Sequence, residues 1–362
     1  MKTSYDMFDA DKEELSLEEE ESKKQHNPGD HIGKYGIWLG DRGIYDERNN
    51  LNDLTGKEWL QLSKSFWVSE RSSEDKAAFE HPAPFLIRDI EKLITLFTKR
   101  GDVVLDPFVG SGTTLLAAAK QQRNAIGIEL NKEYVNKLIN VRIKPYLSGS
   151  QFHQTSLFPL EDESVMEFVP LRQADKKLEA ELIKFWKKIS SSKAHRLFKI
   201  SGNLNHAVLV GDSKSLLEDI PLVDYCVTSP PYHNILRHDG KGVRSDNSQT
   251  RQGIDFYSEH KADLGNTEDY PSYIKAFGQV MSQVFARLKK SKYCSIIISD
   301  FTVETVEKNV HGDVISMMEQ IGFTFMGTVI LAQDSKTLYP FGYPFQYRMN
   351  HVHQYILQFL KS

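Results

Sequence analysis

Cysteine is scarce, long apolar runs are missing and no phosphate loop is present, and each absence removes a class of protein. The 362 residues hold two cysteines, Cys226 and Cys294, each inside an apolar run. They read as reduced core thiols, and without a CxxC pair no metal site is expected. No stretch approaches the roughly 18 consecutive apolar residues of a membrane span, and the first residues lack a positive-then-apolar leader pattern, so a cytoplasmic protein without membrane contact is expected. The Gly-Lys pairs at Gly33, Gly56 and Gly240 are not followed by Ser or Thr, which leaves nucleotide triphosphate hydrolysis unsupported.

What is present is a chain 40% hydrophobic with net charge −4, enough for one large core of roughly 250 residues plus appendages. The charge is unevenly spread. Residues 1–30 carry ten acids against four lysines, a balance of −6 that reads as a solvated, disordered tail and leaves +2 for the rest. Between Arg172 and Lys199 nine cations face three acids, with Phe185, Trp186 and Phe198 interleaved. That combination suits a phosphate backbone, and a solvated basic helix face is its plainer reading.

Two segments carry chemistry. In Gly101-Asp-Val-Val-Leu-Asp-Pro-Phe-Val-Gly-Ser-Gly-Thr-Thr114, Val103 to Leu105 form a short apolar strand, Gly110 and Gly112 permit a tight turn close to a ligand, and an Ala/Leu-rich helix follows from Thr113. A second strand, Ala125 to Ile128, ends in Glu129, an acid placed to accept from ribose hydroxyls. A dinucleotide fingerprint would need its third glycine at Leu115, and Asp106-Pro107 occupies the turn before the glycines, so pyrophosphate binding is disfavoured. The other segment is Ser229-Pro230-Pro231-Tyr232, after the apolar run Asp224 to Thr228. Two prolines stop the strand and remove two N–H donors, leaving a hydroxyl, outward carbonyls and an aromatic face able to grip an amino group on a flat ring. Alone, the Pro-Pro pair would be read as a loop cap.

Together, Asp-Pro-Phe-x-Gly-Ser-Gly-Thr-Thr, the Ile-Gly-Ile-Glu strand and Thr-Ser-Pro-Pro-Tyr resemble the amino-methylating DNA methyltransferases, which act on cytosine N4 or adenine N6. The resemblance runs from about Asn52 to the end, through Asn52-Asp-Leu-Thr-Gly-Lys-Glu-Trp59, His81-Pro82 and Tyr355 to Phe359. It implies S-adenosylmethionine as methyl donor, with Asp106, Phe108, Gly110, Gly112 and Thr113 at its methionine and ribose end, Glu129 on the ribose, Asp212 on the adenine amino group, and His81 and Pro82 covering the methionine end. Pro84 followed by Phe85-Leu86 departs from the family's more usual Lys before Phe-Pro. No Pro-Cys pair exists to serve as a cytosine C5 nucleophile. Ser-Pro-Pro-Tyr accompanies cytosine N4 more often in this family, which favours N4 over adenine N6, RNA amino-methylation and a non-catalytic DNA-binding module.

The expected fold is α/β: a doubly wound, seven-stranded Rossmann-like methyltransferase sheet with an antiparallel edge. Its strands are expected at Val103, Ala125, Ala207 to Val210, Tyr225, Ser295 to Ile298, Thr328 to Leu331 and Tyr355 to Phe359, the last two forming that edge. Residues 31–80 are expected to pack on a catalytic body at 81–362. Because the chain ends at the presumed last strand, DNA recognition is assigned to internal segments. One is the insert 141–204, with Lys184, Lys187, Lys188 and Arg196 on a basic aromatic helix from Ala174 to Ile189; the other is the loop 233–261, with Arg237, Lys241 and Arg244. Double-stranded DNA is the expected partner, with a cognate restriction endonuclease as the companion of such a modification enzyme.

The expected catalytic residues are Ser229, Pro230, Pro231 and Tyr232. An exocyclic amine is a poor nucleophile until acceptors hold its protons and favour the pyramidal form; Ser229 Oγ and the Pro230 carbonyl suit that role, and Tyr232 would stack on a flipped base. Asn350, His351, His353 and Asp300 are secondary candidates for the target pocket.

Overall fold

The computed structural model describes all residues except 1–25, 81–84, 151–162, 174, 234–259, 304–305, 334–335, 337 and 341–342. His81, Pro82, Arg237, Lys241, Arg244 and nearly all of the acidic tail lie outside the described residues.

The amino-terminal part is a small antiparallel sheet of β1 (His31–Ile32), β2 (Gly36–Trp38) and β3 (Ile44–Asp46), whose Ile37, Leu39 and Tyr45 pack with Val165 and Val169. Helix α1 (Gly56–Leu62) starts in a capping box: Thr55 Oγ1 accepts from Glu58 N and Glu58 Oε2 accepts from Thr55 N. Arg42 then pairs with Glu58 at 2.7 Å, tying helix to sheet. Asp53 anchors this part to the body, accepting from Arg100 N at 2.8 Å and from Arg123 Nη2 at 3.1 Å.

The body is a nine-stranded sheet. In chain order its strands are β4 (Phe66–Val68), β5 (Val103–Asp106), β6 (Asn124–Glu129), β7 (Arg196–Ile200), β8 (Leu204–Val210), β9 (Val223–Thr228), β10 (Leu288–Ile298), β13 (Thr324–Ala332) and β14 (His353–Lys361); β11 (Phe301–Val303) and β12 (Val306–Lys308) form a separate hairpin. The spatial order is β4-β13-β14-β10-β9-β5-β6-β8-β7. All seven expected strands are present, the sheet is mostly parallel, and its edge strand β7 runs antiparallel to β8. Two strands were not foreseen, β4 and β7, one at each edge. β4 covers β13, the outer strand of the expected pair, and β14 runs antiparallel to both β13 and β10.

Alternation along the buried strands feeds two cores. Leu105, Ile126, Cys226 and Ile296 face one; Val104, Ala125, Tyr225, Val227 and Ile297 face the other. Helices α2 (Ile87–Phe97) and α3 (Thr113–Lys120) cover the second face, while α4 (Lys176–Ser190), α5 (Tyr270–Arg287) and α6 (Val310–Ile321) cover the first. Each fully buried aliphatic or Phe side chain there contributes about 1.5–3 kcal/mol. Both cysteines are buried on adjacent strands, opposite each other in register. Among the described residues no helix is long and apolar enough to cross a membrane.

From β5 the chain winds to β6 and β8 on one side, then returns to β9 and β10 on the other. The β5–β9 ladder ends at Leu105↔Cys226, so the strands part at their carboxyl ends and open a crevice at the point where the order reverses.

Candidate active site

The turn after β5 is built by close packing. Gly110 and Gly112 have φ of 50° and 82°, and a Cβ on Gly112 would lie 3.0 Å from Ile139 Cγ1. A Cβ on Gly127 would meet Val109 at 2.9 Å, so the turn lies directly on β6. Asp106 and Thr113 are buried behind the crevice rather than on its wall. Asp106 accepts from Thr114 Oγ1 at 2.6 Å, Thr228 Oγ1 at 2.7 Å and Phe108 N at 3.0 Å, and burial pushes its carboxyl up to about 6. Thr113 Oγ1 lies 3.2 Å from Ser111 Oγ and accepts from Arg142 at 3.1 Å. These residues, with Gly112, shape the turn; Phe108 and Gly110 present it to the cleft.

The cleft encloses about 730 Å³ of space, its open mouth included. One wall is Pro107, Phe108, Gly110, Ile128 and Glu129; facing it are Ser229, Pro230 and Pro231; Asp212 and Ser213 close one end. Glu129 holds the turn by accepting from Gly110 N at 2.8 Å and from Asn131 N at 2.8 Å. Burial pushes its carboxyl up to about 8, those backbone bonds only partly opposing the shift. Asp212 Oδ1 accepts from Lys214 N at 3.0 Å, capping the short helix Ser213–Leu216.

Sequence reasoning missed the rest of the wall: Leu130, Asn131, Tyr134, Ala262, Asp263, Leu264 and Val280. Asp263 and Leu264 sit 134 and 135 residues beyond Glu129 in a short turn capped by Asp263, and Val280 is one apolar position of α5. No local signal marks them.

At the proline turn the four expected residues divide. Ser229, Pro230 and Pro231 line the cleft. The Tyr232 ring, expected to offer a face for stacking, is only 7% exposed: it packs edge-on against Phe301 at 5.6 Å, and its Oη accepts from Gln354 Nε2 at 3.2 Å. The reason is that the second proline turns the chain inward, where Phe301 and α5 complete an aromatic cluster with Tyr270 and Tyr273.

The secondary candidates sit at the same end of the sheet. Asp300 pairs with His311 Nδ1 at 2.9 Å, His311 stacks on Tyr355 at 4.1 Å, and His351 pairs with Glu307 at 3.0 Å. Asn350 is used internally, bonding both the N–H and the C=O of Tyr339.

The basic segment is reorganised. Helix α4 begins at Lys176 with Asp175 as its cap, and Phe185, Trp186 and Ile189 are buried in the core, so its aromatic residues serve packing and only the opposite face is basic. Lys184 and Lys187 are exposed there, while Lys188 pairs with Asp219 at 3.1 Å. Arg172 makes a two-pronged pair with Asp102 at the amino end of β5, away from the cleft, and Arg196 bonds the Lys193 and His195 carbonyls. The carboxyl end of α4 does reach the cleft end of the sheet, because β7 starts there, with His195 Nδ1 accepting from Val210 N.

Strand order, reversal point and cleft together define an α/β protein of the methyltransferase type. The family model described as DNA methylase, of the N6/N4 kind, matches residues 2–140. Orphan methyltransferase M.BamHII of Bacillus amyloliquefaciens is 45% identical over 134 residues, covering 37% of this chain and 49% of that protein. Type II methyltransferase M.BglI of Bacillus subtilis is 39% identical over 115 residues, 31% of this chain and 30% of that one. Type II methyltransferase M1.MboII of Moraxella bovis is 50% identical over 108 residues, 30% and 40% of the two. Over these stretches the chain is similar to the amino-methylating DNA methyltransferases. The chain spans about half, or less, of the length of the relatives it matches. TrmN from Thermus thermophilus superimposes over 80% of this chain and 52% of its own with TM-score 0.37 and 12% identity, too distant a likeness to carry an argument.

Proposed function

We propose that the protein transfers a methyl group from S-adenosylmethionine to the exocyclic N4 amino group of a cytosine flipped out of double-stranded DNA. The observation that carries this reading is the placement of Ser229-Pro230-Pro231 across one cleft from Phe108, Gly110 and Glu129, at the carboxyl ends of adjacent strands. The cleft suits a nucleoside sulfonium: a carboxylate for ribose hydroxyls at Glu129, a polar end at Asp212, and apolar surface from Phe108, Ile128 and Leu264. Bound there, the donor supplies an electrophilic methyl group.

This chain's own residues do the rest. Ser229 Oγ and the Pro230 carbonyl accept the two amino protons, which favours the pyramidal nitrogen with its lone pair available. Tyr232, buried against Phe301 and bonded to Gln354, holds the proline turn in place from behind. After transfer the extra proton leaves by the hydroxyl side. Lys184, Lys187 and Lys188 hold phosphates from the cleft end of α4. Adenine N6 is the second reading, because the acceptor pair fits either amine and only the preference for Ser at the first position of the tetrapeptide favours cytosine. As a modification enzyme, the protein would act beside a cognate restriction endonuclease in the cytoplasm. Incubating the protein with duplex DNA and S-adenosylmethionine, then digesting to nucleosides for mass spectrometry, tests this: N4-methylcytosine is expected, N6-methyladenine would replace the base assignment, and unmethylated nucleosides would reject the activity.

A further inference from the structure

The segment joining β13 to β14 has a braced stem and an aromatic tip. At the stem, Gln333 N donates to the Val352 carbonyl at 2.7 Å, Lys336 Nζ to the His351 carbonyl at 3.2 Å, and Asn350 clamps Tyr339 with bonds of 2.9 and 2.8 Å. Beyond this clamp Tyr343, Phe345 and Tyr347 are 79%, 91% and 89% exposed, with Met349 beside them. Aromatic rings at that exposure on a fixed stem are costly in water unless something covers them.

Its place in the fold narrows what covers it. β13 and β10 both run antiparallel to β14, so the carboxyl end of β13 opens on the same end of the sheet as Ser229. Gln333 Nε2 donates to Gln354 Oε1 at 2.8 Å and Gln354 donates to Tyr232, a direct path from the stem to the proline turn. From Ser335 to Leu360 there is not one acid, in a chain of net charge −4, while Lys336 and Arg348 supply positive charge. An acid-free, cationic, aromatic projection beside the target pocket is complementary to nucleic acid, whose bases all offer π-faces and whose backbone is anionic.

We propose that this loop is a DNA-contacting element whose Tyr343, Phe345 and Tyr347 rings stack on bases of the duplex next to the extruded target, with Arg348 and Lys336 toward the phosphates. The inference rests on the DNA-methylation reading above. Stacking there would offset the base pairing lost when the target leaves the helix.

The test is the triple variant Tyr343→Ala, Phe345→Ala, Tyr347→Ala against wild type and against Tyr343→Phe with Tyr347→Phe. Because the rings are solvent-exposed, melting temperature and S-adenosylmethionine binding should be unchanged. Duplex affinity and methyl transfer should fall roughly tenfold or more in the alanine variant, with the salt slope kept because no phosphate contact is removed, and the phenylalanine variant should behave as wild type. Wild-type DNA affinity and rate in the alanine triple would overturn the proposal while leaving the methylation reading standing. If the triple changes only sedimentation, from dimer to monomer, the rings cover a second copy and the proposal is likewise overturned. Absence of methyl transfer to any DNA by the wild-type protein would instead remove the reading on which it rests.

Discussion

Thr228 Oγ1 donates a 2.7 Å hydrogen bond to Asp106 Oδ1, joining the last residue of β9 to the last residue of β5 where the ladder between them has ended. One bond thus sets the distance between the cofactor turn and the proline turn. Thr228→Val keeps the shape and leaves Asp106 Oδ1 with the Phe108 N–H as its donor, so the loss of one hydrogen bond should cost about 1 kcal/mol of stability. Methyl transfer should fall further than that loss of folded protein explains, measured by urea unfolding and single-turnover rates on the same samples.

Cofactor affinity should depend on Glu129. Its carboxyl titrates at about 8 when the cleft is free, and ribose hydroxyls donate best to the ionised form. Binding below that pH therefore releases a proton, so affinity should rise with pH up to about 8 and then level. Glu129→Gln should bind more weakly and lose this dependence, read by calorimetry across the range.

Stability should move the opposite way over part of the same range. Glu91 and Glu129, raised by burial to about 7 and about 8 from 4.5, take up protons in the folded state before the unfolded chain does. Folded protein therefore gains stability as pH falls from 8 toward 6.5. Below 6.5 buried His206, held down to about 4 by desolvation, opposes the trend because only the unfolded chain protonates it there. Asp89 and Asp106, raised by burial to about 6, outweigh this one group, so thermal melts at half-unit intervals should show stability still rising as pH falls from 8 to below 6.

Asp53 bridges the amino-terminal part to the body through Arg123 and the Arg100 amide. Asp53→Ala leaves the Arg123 guanidinium buried without its carboxylate, and a loss of about 3–5 kcal/mol is expected in urea unfolding.

Replacing Lys184, Lys187 and Lys188 with alanine should weaken binding to every duplex and flatten its salt dependence, with cofactor affinity unchanged. An unchanged salt slope would place the phosphate contacts elsewhere.

The seven inner strands were legible because continuous β-branched and aromatic runs such as Val103 to Leu105 and Ser295 to Ile298 have one reading in an α/β chain. β7 was not: Arg196-Leu-Phe-Lys-Ile200 has two cations and sits in a basic segment, and an edge strand needs no continuous apolar run. Phe185 and Trp186 were read toward phosphate, yet with Ile189 they share one helical face that turns to the core. At the site, the glycine turn, Glu129, Asp212 and the prolines announce themselves by local backbone demands. Asp263 and Leu264 reach the cleft from the short turn before α5 and Val280 from α5 itself, a placement that no local pattern encodes. Tyr232 shows the limit from the other side, since its place in the tetrapeptide says nothing of Phe301, which buries it.

The most direct measurement is the single-turnover rate of methyl transfer to duplex DNA by Ser229→Ala, with cofactor and DNA affinities determined alongside. The hydrogen bond from the target amine to Ser229 Oγ strengthens as the nitrogen pyramidalises, so the chemical step should slow while both affinities stay near wild type. A wild-type rate in this variant would contradict the account and make the proline turn a structural cap.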